Sequence, residues 1–206
     1  MKNTVLFCTG VSGSGKTYFI RNTLPQGLFY NLRSATTRAP RVGEVDGEKY
    51  FFRDEKYFST TPLVTHLWVN RNFWKLGDPK WLYGVPESEV FQNMGRNFTY
   101  DVIEPQYARQ MIDWFKMHGL DATYTFKIAW FLPSAIDAET VAARVNMPND
   151  LAVRHANTCE AADFLDCGLR PDYILRPRTG DYDPLLNQYI GALYEYERLN
   201  KNTHLR

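Results

Sequence analysis

The chain has 206 residues, 44% of them apolar and 23% charged, with a net charge of +1. That length supports one domain with a full core, and the balanced charge removes any whole-surface attraction for nucleic acid or an anionic membrane, leaving only a local basic cleft open. Three cysteines, Cys8, Cys159 and Cys167, in an odd count without metal-type spacing argue against a disulfide framework or a zinc site, so a reduced, cytoplasmic setting is expected.

After Met1-Lys2-Asn3-Thr4, the run Val5 to Cys8 is a compact β-favouring segment. It is too short for the apolar part of a signal peptide. Cys8 reads as a small buried hydrophobe within it. Glycines follow, then Tyr18, Phe19, Ile20 and Leu24, which predict a helix ending near Pro25 and Gly27. Ser34 to Phe52 alternates polar, turn-forming and β-favouring residues, so short strands and loops are expected, with turns at Val42-Gly43 and Asp46-Gly47. Leu67 to Tyr83 is rich in aromatics and holds Gly77-Asp78-Pro79, a loop between elements.

Phe98 to Ile103 reads as a buried strand. Glu104 and Pro105 open a helix whose apolar spacing runs through Ala108, Met111, Ile112 and Phe115, with Gly119 as its stop. Thr123 to Leu132 is another strand, and helices are expected over Ile136–Val145 and Leu151–Leu165. Tyr173 to Leu175 is a short strand, and Leu186, Tyr189, Ile190, Leu193 and Tyr196 stripe a final helix. Ile128 to Leu132, the longest apolar run, is far short of the roughly 20 residues that span a bilayer, so no membrane association is expected. Strands alternating with helices imply an α/β fold with a mostly parallel sheet covered on both faces.

Residues 10–17 read Gly10-Val11-Ser12-Gly13-Ser14-Gly15-Lys16-Thr17 and fit G-x-x-x-x-G-K-[ST] in full. Glycines let backbone N–H groups curl round an anion, and the following helix adds partial positive charge at its N-terminus. Lys16 is placed to reach the β- and γ-phosphates of ATP, and the Thr17 hydroxyl to ligate Mg²⁺. The strand before and the helix after weigh against a merely structural glycine turn. The motif alone does not name the phosphate acceptor, because ATPases, GTPases and kinases share it.

Residues 34–50 read Ser-Ala-Thr-Thr-Arg-Ala-Pro-Arg-Val-Gly-Glu-Val-Asp-Gly-Glu-Lys-Tyr. Arg38 and Arg41 lie three apart beside hydroxyls, and both can fork onto phosphate oxygens. Together with the phosphate loop, this stretch resembles the guanylate kinase family, and weaker similarity runs to roughly residue 176. The resemblance implies a single kinase domain over 1–206. Its P-loop NTPase core would span 1–33 and 96–206, with a β-rich acceptor-binding lobe inserted over 34–95 and a short lid over 144–156. It implies that Arg38, Arg41, Tyr50 and Tyr83 hold the acceptor phosphate and that Ser34 touches the base. Arg144 and Arg154 would neutralise transition-state charge beside Lys16 and Arg38, although this lid lacks the family's Arg-Gly run. Glu104 and Gln106 match part of the family's Asp-x-Asp…Gln pattern, with the first acid falling on Val102. Asp101 would serve only in another strand register, and Glu104 would otherwise favour its helix electrostatically.

One departure bears on the substrate. No acid lies where the family's guanine-reading glutamate aligns, and Asp78 is the only acid between Glu55 and Glu87. Either Asp78 substitutes, or the base is not guanine, in which case Asn70 and Asn72 suit a pyrimidine. The expected activity is therefore transfer of the ATP γ-phosphate to a nucleoside monophosphate: GMP, dGMP or another deoxynucleotide, a modified one included. Alternatives are a kinase of this fold acting on a ribose phosphate or on a hydroxymethylated base in DNA, for which Arg71, Lys75 and Lys80 are the only basic hint, or a phosphopeptide-binding module, which the intact loop argues against. A monomer or homodimer fits either activity.

Overall fold

The computed structural model describes residues 2–10, 14–70, 80–102, 104–132, 161–175 and 184–203. In chain order its strands are β1 (Asn3–Thr9), β2 (Phe29–Asn31), β3 (Ser34–Thr36), β4 (Tyr50–Phe52), β5 (Leu67–Asn70), β6 (Lys80–Gly84), β7 (Asn97–Val102), β8 (Tyr124–Phe131) and β9 (Tyr173–Leu175). The described helices are α1 (Lys16–Asn22), α2 (Glu55–Thr60), α3 (Glu87–Phe91), α4 (Pro105–Met117), α5 (Ala161–Asp166) and α6 (Pro184–Thr203).

Five strands form one sheet in the order β2-β7-β1-β8-β9, with every pairing parallel. β1 lies at its centre because Val5, Leu6, Phe7 and Cys8 are apolar on both faces, as a strand covered from both sides requires. Their alternation builds two cores. Val5 and Phe7 face Met111, Ile112 and Phe115 of α4, while Leu6 and Cys8 face Phe19 of α1 and Leu186, Ile190 and Leu193 of α6. Pro105 sits in the first turn of α4, where its missing N–H costs nothing, and Gly119 at φ +66° follows the helix end. Removing the buried Phe115 ring would cost about 3–5 kcal/mol.

A second, four-stranded sheet has the order β4-β3-β6-β5. β3 and β4 run parallel, and the other two pairings are antiparallel. Ala35, Leu82 and Phe58 form the small core behind it, so alternate residues of its strands (Ser34 and Thr36, Tyr50 and Phe52, Trp81 and Tyr83) lie on the opposite face. That face carries most of the candidate acceptor residues.

The parallel sheet and flanking helices expected from the sequence are present. The sequence reading passed over β2, α2 and α3. The two helices have six and five residues, too few for a 3.6-residue period to show. Each is marked at its start instead: the Asp54 carboxylate accepts the Tyr57 N–H at 2.9 Å, and at the N-cap of α3 the Pro86 carbonyl accepts the Glu89 N–H at 3.0 Å. Of the helix expected over Leu151–Leu165, Ala161–Asp166 is helical; the remainder to residue 160, and Ile136–Val145, lie outside the described residues.

Candidate phosphoryl-transfer site

The site begins where β1 ends. Gly10 has φ +141°, and a Cβ there would stand 2.6 Å from the Phe131 carbonyl oxygen, so only glycine lets the chain turn this close to β8. Gly15, at φ +97°, caps α1. Lys16 is buried, donates to the Gly10 carbonyl at 2.7 Å and stands 3.6 Å from Asp101 Oδ1. Ser14 Oγ is buried without a hydrogen-bond partner among the described residues. An orphaned donor in a glycine-lined turn, beside a lysine, is what an anion-binding cradle presents.

Asp101 lies near the end of β7, opposite Cys8 in the parallel ladder. Its Oδ2 accepts the Thr17 hydroxyl at 3.1 Å. A hydroxyl and a carboxylate side by side are hard oxygen donors that fit Mg²⁺, which takes one or two carboxylates plus substrate phosphates. This is a difference from the sequence alignment, which put the family's first acid on Val102. Val102 is buried in the core, and the ladder register turns Asp101 towards Lys16. Glu104 stands at the N-cap of α4, and its carboxylate accepts from the Gln106 amide.

The candidate acceptor face is built from side chains. Arg38 is buried; it donates through Nε to the Tyr83 hydroxyl at 3.2 Å, through Nη1 to the Ala39 carbonyl at 2.8 Å, and through Nη2 to Glu44 at 2.9 Å. Its guanidinium lies 5.4 Å from the Tyr50 ring centre, and the Tyr50 and Tyr83 rings meet edge to face at 5.9 Å. Burial would raise the Glu44 carboxyl, but the Arg41 N–H and the Arg38 guanidinium together hold it below its ordinary value. Burial pushes the Tyr50 phenol well up, which keeps it a hydrogen-bond donor. Arg41 is exposed and joins Thr37, Arg38, Ala39 and Trp81 around a cleft of about 420 Å³. The structure thus brings Arg38, Tyr50 and Tyr83 together, with Arg41 at the rim.

Ser34 is buried on the same face as Tyr50, and further in the Tyr100 hydroxyl pairs with the Thr65 hydroxyl at 3.0 Å. Thr65 in turn accepts the Val85 N–H at 3.2 Å. Where the chain passes from β2 into β3, Arg33 grips the buried Glu89 through Nε at 2.8 Å and Nη2 at 2.9 Å, and donates to the Gly47 carbonyl at 2.7 Å. Glu89 also accepts the Tyr30 hydroxyl at 2.8 Å. This buried pair ties α3 and the 37–49 loop to the edge of the parallel sheet.

Sequence reasoning missed Glu44, Thr65, Glu89, Arg33, Tyr100 and Lys49. Glu44 and Lys49 had a signal, their place in the 34–50 stretch; the others meet across separations such as 35 residues for Thr65 and Tyr100 and 56 for Arg33 and Glu89. Lys49, half-buried, donates to Thr17 Oγ1 at 3.4 Å. Burial lowers its pKa from the ordinary lysine value, opposed by Asp101 and reinforced by Arg21 and Lys16. Val11, Ser12, Gly13, Arg71, Asn72, Lys75, Asp78, Arg144 and Arg154 lie outside the described residues, and Asn70 ends β5 opposite Lys80. No described helix is long and apolar enough to cross a membrane.

No family model matches the chain. A guanylate kinase of Wolbachia sp. subsp. Brugia malayi is 31% identical over 209 aligned residues, covering 98% of this chain and 96% of that protein. A guanylate kinase of Synechococcus sp. is 38% identical, but over 52% of this chain; the match spans 57% of that relative's length, little more than half. A crystal structure of guanylate kinase from Anaplasma phagocytophilum superimposes with a TM-score of 0.54 at 19% identity, over 95% of this chain and 86% of that one, which shows a shared fold.

Proposed function

We infer the reaction from two premises: the chain belongs to the guanylate kinase family, and the glycine-lined turn that carries Lys16 and Thr17 meets the 34–50 stretch through Lys49. We propose that it transfers the γ-phosphate of ATP to a nucleoside monophosphate, with GMP the first expectation from the relatives' name. The observation that carries this is the contact between the faces: Lys49, adjacent in sequence to Tyr50 on the acceptor side, reaches Thr17 of the phosphate loop at 3.4 Å.

In this reading the loop from Gly10 to Thr17 cradles the ATP phosphates, with Lys16 on the β- and γ-oxygens. Thr17 and Asp101 would hold Mg²⁺, which when bound offsets charge on the phosphates. Arg38, Arg41, Tyr50 and Tyr83 hold the acceptor phosphate so that one of its oxygens faces the γ-phosphorus in line. That oxygen is already anionic, so no residue need act as a general base. Glu44 keeps Arg38 aimed by occupying one edge of its guanidinium and leaving charge for the acceptor. Lid arginines Arg144 and Arg154 would add transition-state charge, the core, lobe and lid being divided as the sequence predicts.

A second reading of the base is favoured by Ser34, whose hydroxyl, on the face that carries Tyr50, can both donate and accept and so suits a base with mixed edges, such as a pyrimidine. The test is an ATP/Mg²⁺ transfer assay across the common ribo- and deoxynucleoside monophosphates. Turnover led by GMP or dGMP supports the guanine reading, and turnover led by a pyrimidine monophosphate supports the second. Failure on all of them overturns the nucleotide acceptor.

A further inference from the structure

We propose that Lys49 is a catalytic cation carried by the acceptor sheet to the phosphoryl group in transit. This rests on the reading above and gives a catalytic role to a residue that reading uses only as a contact between the two faces. Lys49 immediately precedes β4, and its backbone neighbourhood is fixed. Gly47 N–H donates to the Tyr50 carbonyl at 2.8 Å, and the Asp46 carboxylate accepts the Phe52 N–H at 2.7 Å. The side chain nevertheless leaves the acceptor sheet and ends 3.4 Å from Thr17 Oγ1, 32 residues earlier.

Its neighbours lie in sequence across the gap. On one side the Tyr50 ring centre is 5.3 Å from the Lys49 ammonium and 5.4 Å from the Arg38 guanidinium. On the other side Thr17 bonds to Asp101, which faces Lys16. The order Arg38, Tyr50, Lys49, Thr17 therefore runs from the acceptor-phosphate donors to the ATP-phosphate cradle. A phosphoryl group passing from one to the other must cross beside Lys49.

The local charge points the same way. Lys16 and Arg21 both act electrostatically on Lys49, with Asp101 and Glu44 as the acids acting on it. Glu44 is already paired with Arg38 and Asp101 with Lys16, and Lys49 forms no ion pair among the described residues. Positive charge gathered without matching acids fits an anion passing through the gap. In the transfer an acceptor-phosphate oxygen forms a bond to the γ-phosphorus. The bond from that phosphorus to the β–γ bridging oxygen breaks, and its electron pair leaves with ADP. Lys49 moves no proton; its fixed charge stabilises the equatorial oxygens.

The test compares wild type, Lys49→Met, Lys49→Gln and Lys49→Arg in steady-state transfer. It adds equilibrium binding of Mg²⁺-ATP and of a bisubstrate probe in which adenosine and the acceptor nucleoside are joined through five phosphates. Lys49→Met should lower kcat about 100-fold, the size of a lost transition-state donor, with both KM values within about threefold. Bisubstrate affinity should fall about tenfold or more while Mg²⁺-ATP affinity stays within about threefold, and Lys49→Arg should recover at least tenfold in kcat. A Lys49→Met kcat within about threefold of wild type overturns the proposal. So does a loss of Mg²⁺-ATP binding that matches the loss of kcat, since Lys49 would then only shape the cradle. If Lys49→Met fails to fold, Lys49→Gln removes the charge with a shorter, polar side chain and decides by the same readings. If wild type acts on no monophosphate, the acceptor reading has failed; Lys49 is then judged on slow ATP hydrolysis, where an unchanged Lys49→Met rate overturns its role.

Discussion

The proposed nucleotide end of the site comes from one stretch of chain, Gly10 to Thr17, whereas the proposed acceptor end gathers Ser34, Tyr50 and Tyr83 from three strands and Arg38 from the loop after β3. Gly10 makes the first possible by backbone geometry: no larger residue fits against Phe131. The second works by side chains that already satisfy one another, as in the Arg38–Glu44 pair and the Arg38–Tyr83 hydrogen bond. A backbone cradle binds any polyphosphate and tolerates little change. A side-chain face can be retuned residue by residue, so it is where substrate choice can vary within one fold.

That contrast sets the order of the expected effects. Lys16→Ala should be the most damaging, with kcat falling by about 10³-fold or more while the thermal melt stays near wild type, because the lysine serves the phosphates and not a core. Equal losses of kcat and folding would erase the distinction. Arg38→Met should lower kcat/KM for the acceptor by about 100-fold while Mg²⁺-ATP affinity changes by less than about twofold. Loss of ATP binding in that variant would mean the two ends do not bind separately. Tyr83→Phe removes one hydroxyl from Arg38 Nε and should raise the acceptor KM by about five- to tenfold with little change in kcat.

The smallest effect belongs to Glu44. Its folded pKa lies below the ordinary value, so its contribution to stability is fully present above the usual carboxylate range and is lost as pH falls through the lower folded pKa. Urea melts should therefore show wild type losing about 0.5–1 kcal/mol more than Glu44→Gln on going from neutral pH to pH values below that range. Parallel pH profiles for the two proteins would mean that the pair with Arg38 does not hold.

The same contrast explains what could be read without coordinates. The phosphate loop, β1, β8, α4 and the stripe of α6 follow from contiguous patterns, because both their chemistry and their burial are local. Tyr173–Leu175 was legible as a strand for the same reason. Asp101 was not, because the motif spacing falls on its neighbour Val102, and only pairing with Cys8 decides which of the two turns towards Lys16. The Tyr100–Thr65 hydroxyl pair and the Arg33–Glu89 pair exist only once two sheets have met, and no period or spacing announces them.

The central claim is that the two ends act on one phosphoryl group. Single-turnover transfer with ATP labelled at its γ-phosphate and an excess of monophosphate tests it most directly. The account predicts that the label moves intact onto the nucleoside diphosphate in wild type, and that Arg38→Met abolishes this transfer while still binding ATP. Label released as inorganic phosphate at the same rate with and without any monophosphate would contradict it.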